Sequence, residues 1–364
     1  MEAKKHNTYL SLYCLIFMTS KVIMSSSTII FMFILFIMTA VVSSSSPNTT
    51  IETALKDRYK KWLGQYGNLR PSNMRNMDLK SRFEIYKHNV QFIDKFNSEN
   101  HSFTLIDNQF ADMTNEEFKA TYLNHEITEN PTQYCEKVIF DISQEKTPPE
   151  NLDWRKKGVV TSVKSQGSCG SCWAFATVAT VESLTFQKTN QLLNLFAQQL
   201  VDCDDGSYGC YGGYKQKAFE YVRKYGLATS EDYPYKEENG TCKLNFQKAA
   251  TIDGCKSVEP GSEVQLLYAV AKRPVAVSID FDLIKPAYRF YHRGIYSACS
   301  TCGKQELDHD VVVVGYGIDG SSKYWIIKNS HGEDWGEDGY MMMERNVCDG
   351  QGACGITQEP SYPI

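Results

Sequence analysis

Positive charge is not in excess in this 364-residue chain: 38 Lys and Arg stand against 43 Asp and Glu, a formal net charge of −5. That balance argues against a general nucleic-acid binder, which would present a basic face. Beyond residue 42 no segment is apolar enough to cross a bilayer. Charged residues make up only 22% of the chain and hydrophobic ones 42%, so a substantial core can form and global disorder is excluded. No retention tetrapeptide closes the sequence, which ends Ser361-Tyr-Pro-Ile364. The length exceeds that of one small domain, and roughly two to three compact units are expected.

Cysteine, by contrast, is plentiful. Twelve of them are more than a cytosolic enzyme ordinarily carries and point to an oxidising compartment. Residues 29–42, IIFMFILFIMTAVV, are almost wholly apolar and run into Ser43 to Ser46, as a cleavable signal h-region does. A second apolar stretch, Leu10 to Met18, is set apart by Lys21 and several serines. Residues 1–45 therefore read as a signal peptide, of ordinary length if synthesis starts at Met24. The rival reading joins both stretches into a membrane anchor. The first reading sends the protein into the secretory pathway, to a vacuole or lysosome-like compartment or to the exterior. Asn48-Thr-Thr, Asn100-His-Ser and Asn239-Gly-Thr are acceptor sequences for glycosylation there.

Residues 46–147 differ from the C-terminal part of the chain, with Cys135 their one cysteine. From Arg82 to Asn97, apolar Phe83, Tyr86, Ile93 and Phe96 recur at helical spacing, so one face is greasy and the other charged. Pro131 to Pro149 lacks periodicity and holds three prolines, which suits an exposed linker. The segment is either a small tethered helical domain or a removable pro-segment.

The remainder, 148–364, carries the chemistry. In Gln166-Gly-Ser-Cys169-Gly-Ser-Cys172-Trp-Ala-Phe, a helical face begins at Trp173, with Asn190 as a stop. Cys172 thus stands at a helix N-terminus, where the dipole and free N–H groups favour a thiolate. Cys169 and Cys172 could instead be a redox pair, or half a zinc site completed by Cys299 and Cys302. A thiolate nucleophile needs a base and an orienter for that base. His309 opens an apolar strand, His-Asp-Val-Val-Val-Val, and Asn329 closes another, Tyr-Trp-Ile-Ile-Lys-Asn. Tyr214 to Tyr225 is a further amphipathic helix ended by Gly226. Val275–Ile279, Val311–Val314, Tyr324–Ile327 and Tyr340–Met343 read as strands.

Cys-Gly-Ser-Cys172-Trp, Gly209-Cys-Tyr-Gly-Gly213, the His309 strand and Asn329-Ser-His-Gly together resemble the papain-type cysteine proteases of plants. The likeness extends over essentially everything after the signal peptide. Asp78, Arg82, Tyr86, Asn89, Ile93 and Asn97 follow the long-helix pattern of that family's propeptides, and Ile106 to Asp112 follow its second motif. The resemblance implies an α+β, two-lobed papain-like fold. It has a helical lobe, an antiparallel β-barrel-like lobe and a cleft between them. An inhibitory propeptide (46–147) precedes the mature peptidase and is removed near Pro148. Made as a zymogen, the mature enzyme would be an endopeptidase: a Cys172 thiolate paired with His309 imidazolium, oriented by Asn329, with Gln166 and the Cys172 N–H as oxyanion donors. The alternative is a papain-like storage, defence or binding protein with weak peptidase activity. The resemblance further implies protein and peptide substrates, cystatin-type inhibitors, a monomer, no nucleic acid, no metal and no cofactor.

Gly212, Gly213, Tyr214, Lys215, Ser278, Asp308 and Glu359 fall on the family's substrate-binding positions, together with Pro274 and Leu307. Glu359 falls at the floor of the pocket for the substrate residue two before the cut bond, P2. By resemblance Cys169 pairs with Cys210 and Cys203 with Cys242, and Cys354 reaches the 299–302 region. Cys348 is additional, and a second bridge is expected between the doublets Cys299/Cys302 and Cys348/Cys354, leaving Cys255 unpaired and buried. Two departures stand out. His331 replaces the Trp whose indole usually shields the His–Asn bond, and Phe196-Ala197 replaces a Ser-Glu helix start, losing an N-cap worth about 1 kcal/mol.

Overall fold

The structure, a computed structural model, describes residues 47–75, 77–123, 134–243, 245–280, 286–297 and 307–364. The signal-peptide reading of 1–45 lies outside them, as do Cys299 and Cys302. The chain divides after Arg58 into two units, with the candidate site in Tyr59–Ile364. Helix α1 (Pro47–Tyr66) runs across the division.

Helix α2 (Leu79–Asn97) begins where Asp78 accepts hydrogen bonds from the N–H groups of Lys80 and Ser81. Its buried residues, Arg82, Phe83, Tyr86, Asn89, Val90 and Ile93, share one face at three- and four-residue intervals. The polar members of that face hold the second motif in place. Asn89 donates to the carbonyls of Ala111 and Met113, Tyr86 to Asp107, and Asn97 to the carbonyl of Leu105 in strand β1 (Phe103–Leu105). Helix α3 (Asn115–Tyr122) starts on a reciprocal capping box between Thr114 and Glu117.

Helix α4 (Cys172–Thr189) is buried along most of its length and ends on Asn190, in the left-handed region at φ 58°. Helix α5 (Gln198–Cys203) starts at Ala197 with no side-chain cap, as the loss of Ser-Glu implied. Helix α6 (Lys215–Tyr225) has Tyr214 as its N-cap rather than its first residue, and α7 (Glu263–Lys272) lies further along the chain.

Among the described residues ten strands make the sheet, with β2 (Glu136–Val138), β3 (Leu152–Asp153), β4 (Cys255–Val258), β5 (Val275–Ile279) and β6 (Tyr291–Tyr296) coming after β1. Strands β7 (His309–Asp319), β8 (Ser322–Lys328), β9 (Tyr340–Glu344) and β10 (Ser361–Pro363) complete it. The order is β1-β6-β9-β8-β7-β5-β10-β4-β2, with β3 on β7. Among the described residues this sheet does not close, so the barrel-like lobe expected from the sequence is an open ladder. It is not wholly antiparallel either, since β6 pairs β9 and β2 pairs β4 in parallel. At its two ends β1 and β2, both from residues 46–147, occupy the edges.

The linker expectation also needs correction. Cys135 is disulfide-bonded to Cys255, and β2 pairs with β4 directly after it. A three-residue strand has no period to detect, and its covalent partner lies 120 residues away. From Asp141 to Glu150 the chain is largely exposed, as a linker would be.

One apolar core joins the halves. Trp173, Val178 and Val181 of α4 and Phe219 and Val222 of α6 belong to the same cluster as Ala276, Val312 and Ile326. Buried charge is satisfied beside it. Glu182 of α4 accepts from Thr161, Lys164 and the Leu195 N–H, and Lys328 of β8 donates to Thr161. Burial pushes the Lys328 ammonium down to about 8.

Candidate active site

Helix α4 places Cys172 at its first residue, fully buried, and β7 places His309 at its own first residue, also fully buried. The two meet through the residue after His309, because the Asp310 backbone N–H hydrogen-bonds the thiol. The Cys172 thiol is the only free one among the described cysteines. Cys169 is bonded to Cys210, which removes both the redox-pair and the zinc readings of Cys169–Cys172.

The tautomer at His309 is set by its neighbours. Asn329 donates its Nδ2 to the Tyr288 hydroxyl, and its Oδ1 accepts the N–H of Ser330. Oδ1 therefore faces the imidazole, 2.9 Å from Nε2, and Nε2 carries the proton. Nδ1 is left buried without a partner, as a free base.

Gln166 is fully buried. Its Oε1 accepts from the Ser330 hydroxyl at 2.7 Å, so its Nε2 is the donor. That donor is engaged by two carbonyls, Tyr122 at 2.7 Å and Cys169 at 2.8 Å. Tyr122 belongs to α3, so backbone from residues 46–147 sits on the amide expected to hold an oxyanion. Leu123 comes equally close to the next loop: a Cβ on Gly170 would lie 2.8 Å from its carbonyl oxygen, so only glycine fits.

Burial decides the charge states. It pushes the Cys172 thiol strongly up, helped by the Asp310 carboxylate, and pushes the His309 imidazole down. The ion pair expected for a working enzyme is thus disfavoured here, because water is excluded while α3 covers the cleft.

His331 does not leave the site exposed in this state. Its ring stacks on His309, 4.9 Å between centroids. Phe110, Phe118 and Tyr122 from the N-terminal region meet it edge-on, with Trp335 and Tyr288 on the other sides. Neither ring nitrogen has a hydrogen-bond partner, and its pKa falls well below the usual histidine range, through burial first and then through His309.

Six of the expected substrate-pocket residues fall into two groups. Gly212, Gly213 and Tyr214 are buried together, and a Cβ on Gly213 would lie 2.5 Å from the Trp173 ring. Lys215, Ser278 and Glu359 converge on one another. Lys215 Nζ, 1% exposed, hydrogen-bonds the Ser278 hydroxyl and lies 3.1 Å from Asp310 and 3.6 Å from Glu359. Pro274 is buried and Leu307 half-buried. Asp308 instead faces Lys119 of α3 at 3.7 Å.

The sequence reading missed Asp310, Ser330, Tyr288 and Tyr122. Asp310 and Ser330 adjoin His309 and Asn329, a usable signal, whereas Tyr122 acts through its carbonyl and Tyr288 comes from a separate loop. Cys203 is bonded to Cys242. Cys348 and Cys354 are each disulfide-bonded, to partners outside the described residues. Cys255, expected free, is the partner of Cys135.

Two family profiles match the chain. Residues 148–364 match the papain family cysteine proteases, and residues 59–118 match the cathepsin propeptide inhibitor domain. Thiol protease SEN102 of Hemerocallis sp. is 42% identical over 324 residues, covering 86% of this chain and 87% of that protein. The KDEL-tailed cysteine endopeptidase CEP2 of Arabidopsis thaliana is 40% identical, covering 94% and 95%. Among solved structures, a recombinant stem bromelain precursor superposes with a TM-score of 0.76 at 40% identity, covering 85% of this chain and 99% of that one. The proform of the ragweed pollen allergen Amb a 11, a cysteine protease, gives 0.74 at 36% identity, covering 86% and 95%.

Proposed function

We propose, for a chain that belongs to the papain family of cysteine proteases and carries its own inhibitor domain, that Cys172, His309, Asn329 and Gln166 do the chemistry once residues up to about Pro148 are cut away. The observation that carries the assignment is the unpartnered Nδ1 of His309, with Nε2 held by Asn329, next in sequence to the Asp310 N–H that hydrogen-bonds a free thiol at a helix N-terminus.

Nδ1 takes the Cys172 proton, and the thiolate attacks the scissile carbonyl carbon. Charge building on the carbonyl oxygen is met by Gln166 Nε2 and the Cys172 N–H at the positive end of α4; one such donor contributes about 3 kcal/mol at the transition state. The C–N bond then breaks as His309 gives its proton to the departing amine. Water, deprotonated by the same nitrogen, hydrolyses the acyl-enzyme and restores the thiol. In the zymogen the Tyr122 carbonyl takes the place a substrate carbonyl would have at Gln166.

The remaining readings rest on family membership and the sequence. The protein enters the secretory pathway through residues 1–45 and reaches a vacuole or the exterior. The mature enzyme is a monomer that cystatin-type inhibitors block. Its P2 pocket is acidic at Glu359. The test of the catalytic assignment is covalent labelling by an irreversible thiol-directed epoxide after acid processing. Label is expected on Cys172 in the wild type and none on Cys172→Ala; label retained by Cys172→Ala would refute it.

A further inference from the structure

Cys135 lies between the two segments that match known families, 59–118 and 148–364, so neither pattern accounts for it. Its bond to Cys255 joins a residue upstream of the expected cut to one deep in the peptidase. The contact does not stop at sulfur. Strand β2 pairs in parallel with β4 at Glu136–Lys256, Lys137–Ser257 and Val138–Val258, and the Glu259 N–H donates to the Val138 carbonyl. The Phe140 backbone exchanges two hydrogen bonds with the Gln265 side-chain amide, at 2.7 and 3.0 Å. The Phe140 ring is buried against Tyr268 and under the Lys272 ammonium, which also pairs with Glu145 at 2.7 Å. This surface, the free edge of β4 beside one face of α7, is fitted by residues 134–145 of the same chain. The exposed Asp141–Glu150 stretch begins directly after Phe140.

We infer that the segment around β2 is not lost on maturation but stays on the peptidase as a disulfide-held second chain. The inference rests on the proposed processing near Pro148. Hydrolysis there adds water across one peptide bond, giving a carboxylate on the upstream piece and an amine on the peptidase, and leaves the Cys135–Cys255 bond untouched. Separation then needs two electrons and two protons from a dithiol, which closes to its cyclic disulfide as Cys135 and Cys255 become thiols. Until that happens the upstream piece is held at an effective concentration of order millimolar, far above what free diffusion would supply. It also keeps β4 from becoming an unpaired edge strand.

The test uses the whole zymogen, processed in acid, with free thiols then blocked by a maleimide and the product denatured without reduction. Intact mass is expected to show the peptidase plus a peptide that contains Cys135 and ends near residue 147, and dithiothreitol should release that peptide completely. In Cys135→Ser the same processing should give the bare peptidase before any reduction. Unreduced wild type with the mass of the bare peptidase overturns the inference. So does a reduced peptidase chain beginning upstream of Cys135, since the bridge would then lie within one chain. Epoxide labelling of Cys172 on the same sample reports the catalytic reading separately. The wild-type result decides the matter even if Cys135→Ser fails to fold.

Discussion

The imidazole of His331 lies nearly flat on that of His309, with 4.9 Å between ring centroids and 16° between planes. His309 must become a cation during each turnover, and His331 sits where its own charge would oppose that most. The indole that the family resemblance leads one to expect here would offer a neutral, electron-rich face, which favours a neighbouring cation.

His331→Trp should therefore raise kcat/KM of the processed enzyme. The gain should be largest below about pH 6.5, where a rehydrated His331 begins to carry charge against His309. Parallel pH–rate profiles for the two proteins would show that His331 does not act on His309.

The same pair sets how the closed zymogen responds to pH. Both imidazoles are held below their ordinary range in the folded state. The unfolded state therefore binds more protons once pH drops under about 6.5. The contribution of the neutral histidines is fully present above that value and is lost progressively as pH falls from it toward their lower folded-state pKa values. While pH lies between the folded and unfolded values, each such histidine contributes a slope of up to about 1.4 kcal/mol per pH unit. Urea unfolding of the Cys172→Ala zymogen, which cannot process itself, should lose about that much slope when His331→Trp is added. An unchanged slope would mean that His331 already titrates normally inside its aromatic cage.

Much of this site is legible in the chain because its parts are local. Cys172 followed by an apolar helical face, Asn190 as its stop and four valines after His309 each announce an element; the helix ends where expected, and the strand begins two residues early and runs five past Val314, to Asp319. What escaped is what depends on backbone or on distant partners. The Tyr122 carbonyl on Gln166 leaves no side-chain pattern. Glu-Lys-Val in β2 has no period, and the pairing of Cys135 with Cys255 links two segments that nothing in sequence relates. The places of β1 and β2 at the two edges of the sheet likewise come from pairing with distant strands, which their own short sequences do not signal.

Arg82 should prove necessary for inhibition. Its Nη1 is 2.6 Å from Glu117, another of its nitrogens donates to the Asp112 carbonyl, and its Nε is 3.7 Å from the buried Asp112 carboxylate, which Arg70 also meets at 3.1 Å. Burial still holds the Asp112 pKa above its usual value, so the site has little charge to spare. Arg82→Ala removes a partner from a buried carboxylate, a change that costs about 3–5 kcal/mol. It also frees Glu117, which caps α3, the helix lying over the cleft. The uncleaved zymogen of this variant should label at Cys172 many times faster than wild type. Equal labelling rates, with equal urea midpoints, would show that the network does not hold the inhibitor closed.

Glu359 should read the P2 side chain of the substrate. Lys215 bonds the Ser278–Asp310–Glu359 group and lies nearer Asp310 than Glu359. Two carboxylates thus face this ammonium, and Glu359, with its side chain 30% exposed, is the outer one. A basic P2 side chain that reached Glu359 would gain a charge-assisted hydrogen bond of about 1.5–3 kcal/mol, roughly ten- to hundredfold in rate constant. Lys215 reduces that gain without cancelling it, because Asp310 already takes the shorter contact. P2 Arg should therefore be accepted well relative to P2 Phe, and Glu359→Ala should lower the Arg-to-Phe ratio of kcat/KM by about tenfold or more. The measurement compares two peptides differing only at P2 on both proteins. An identical ratio in wild type and Glu359→Ala would mean that Glu359 serves Lys215 alone and does not read the substrate.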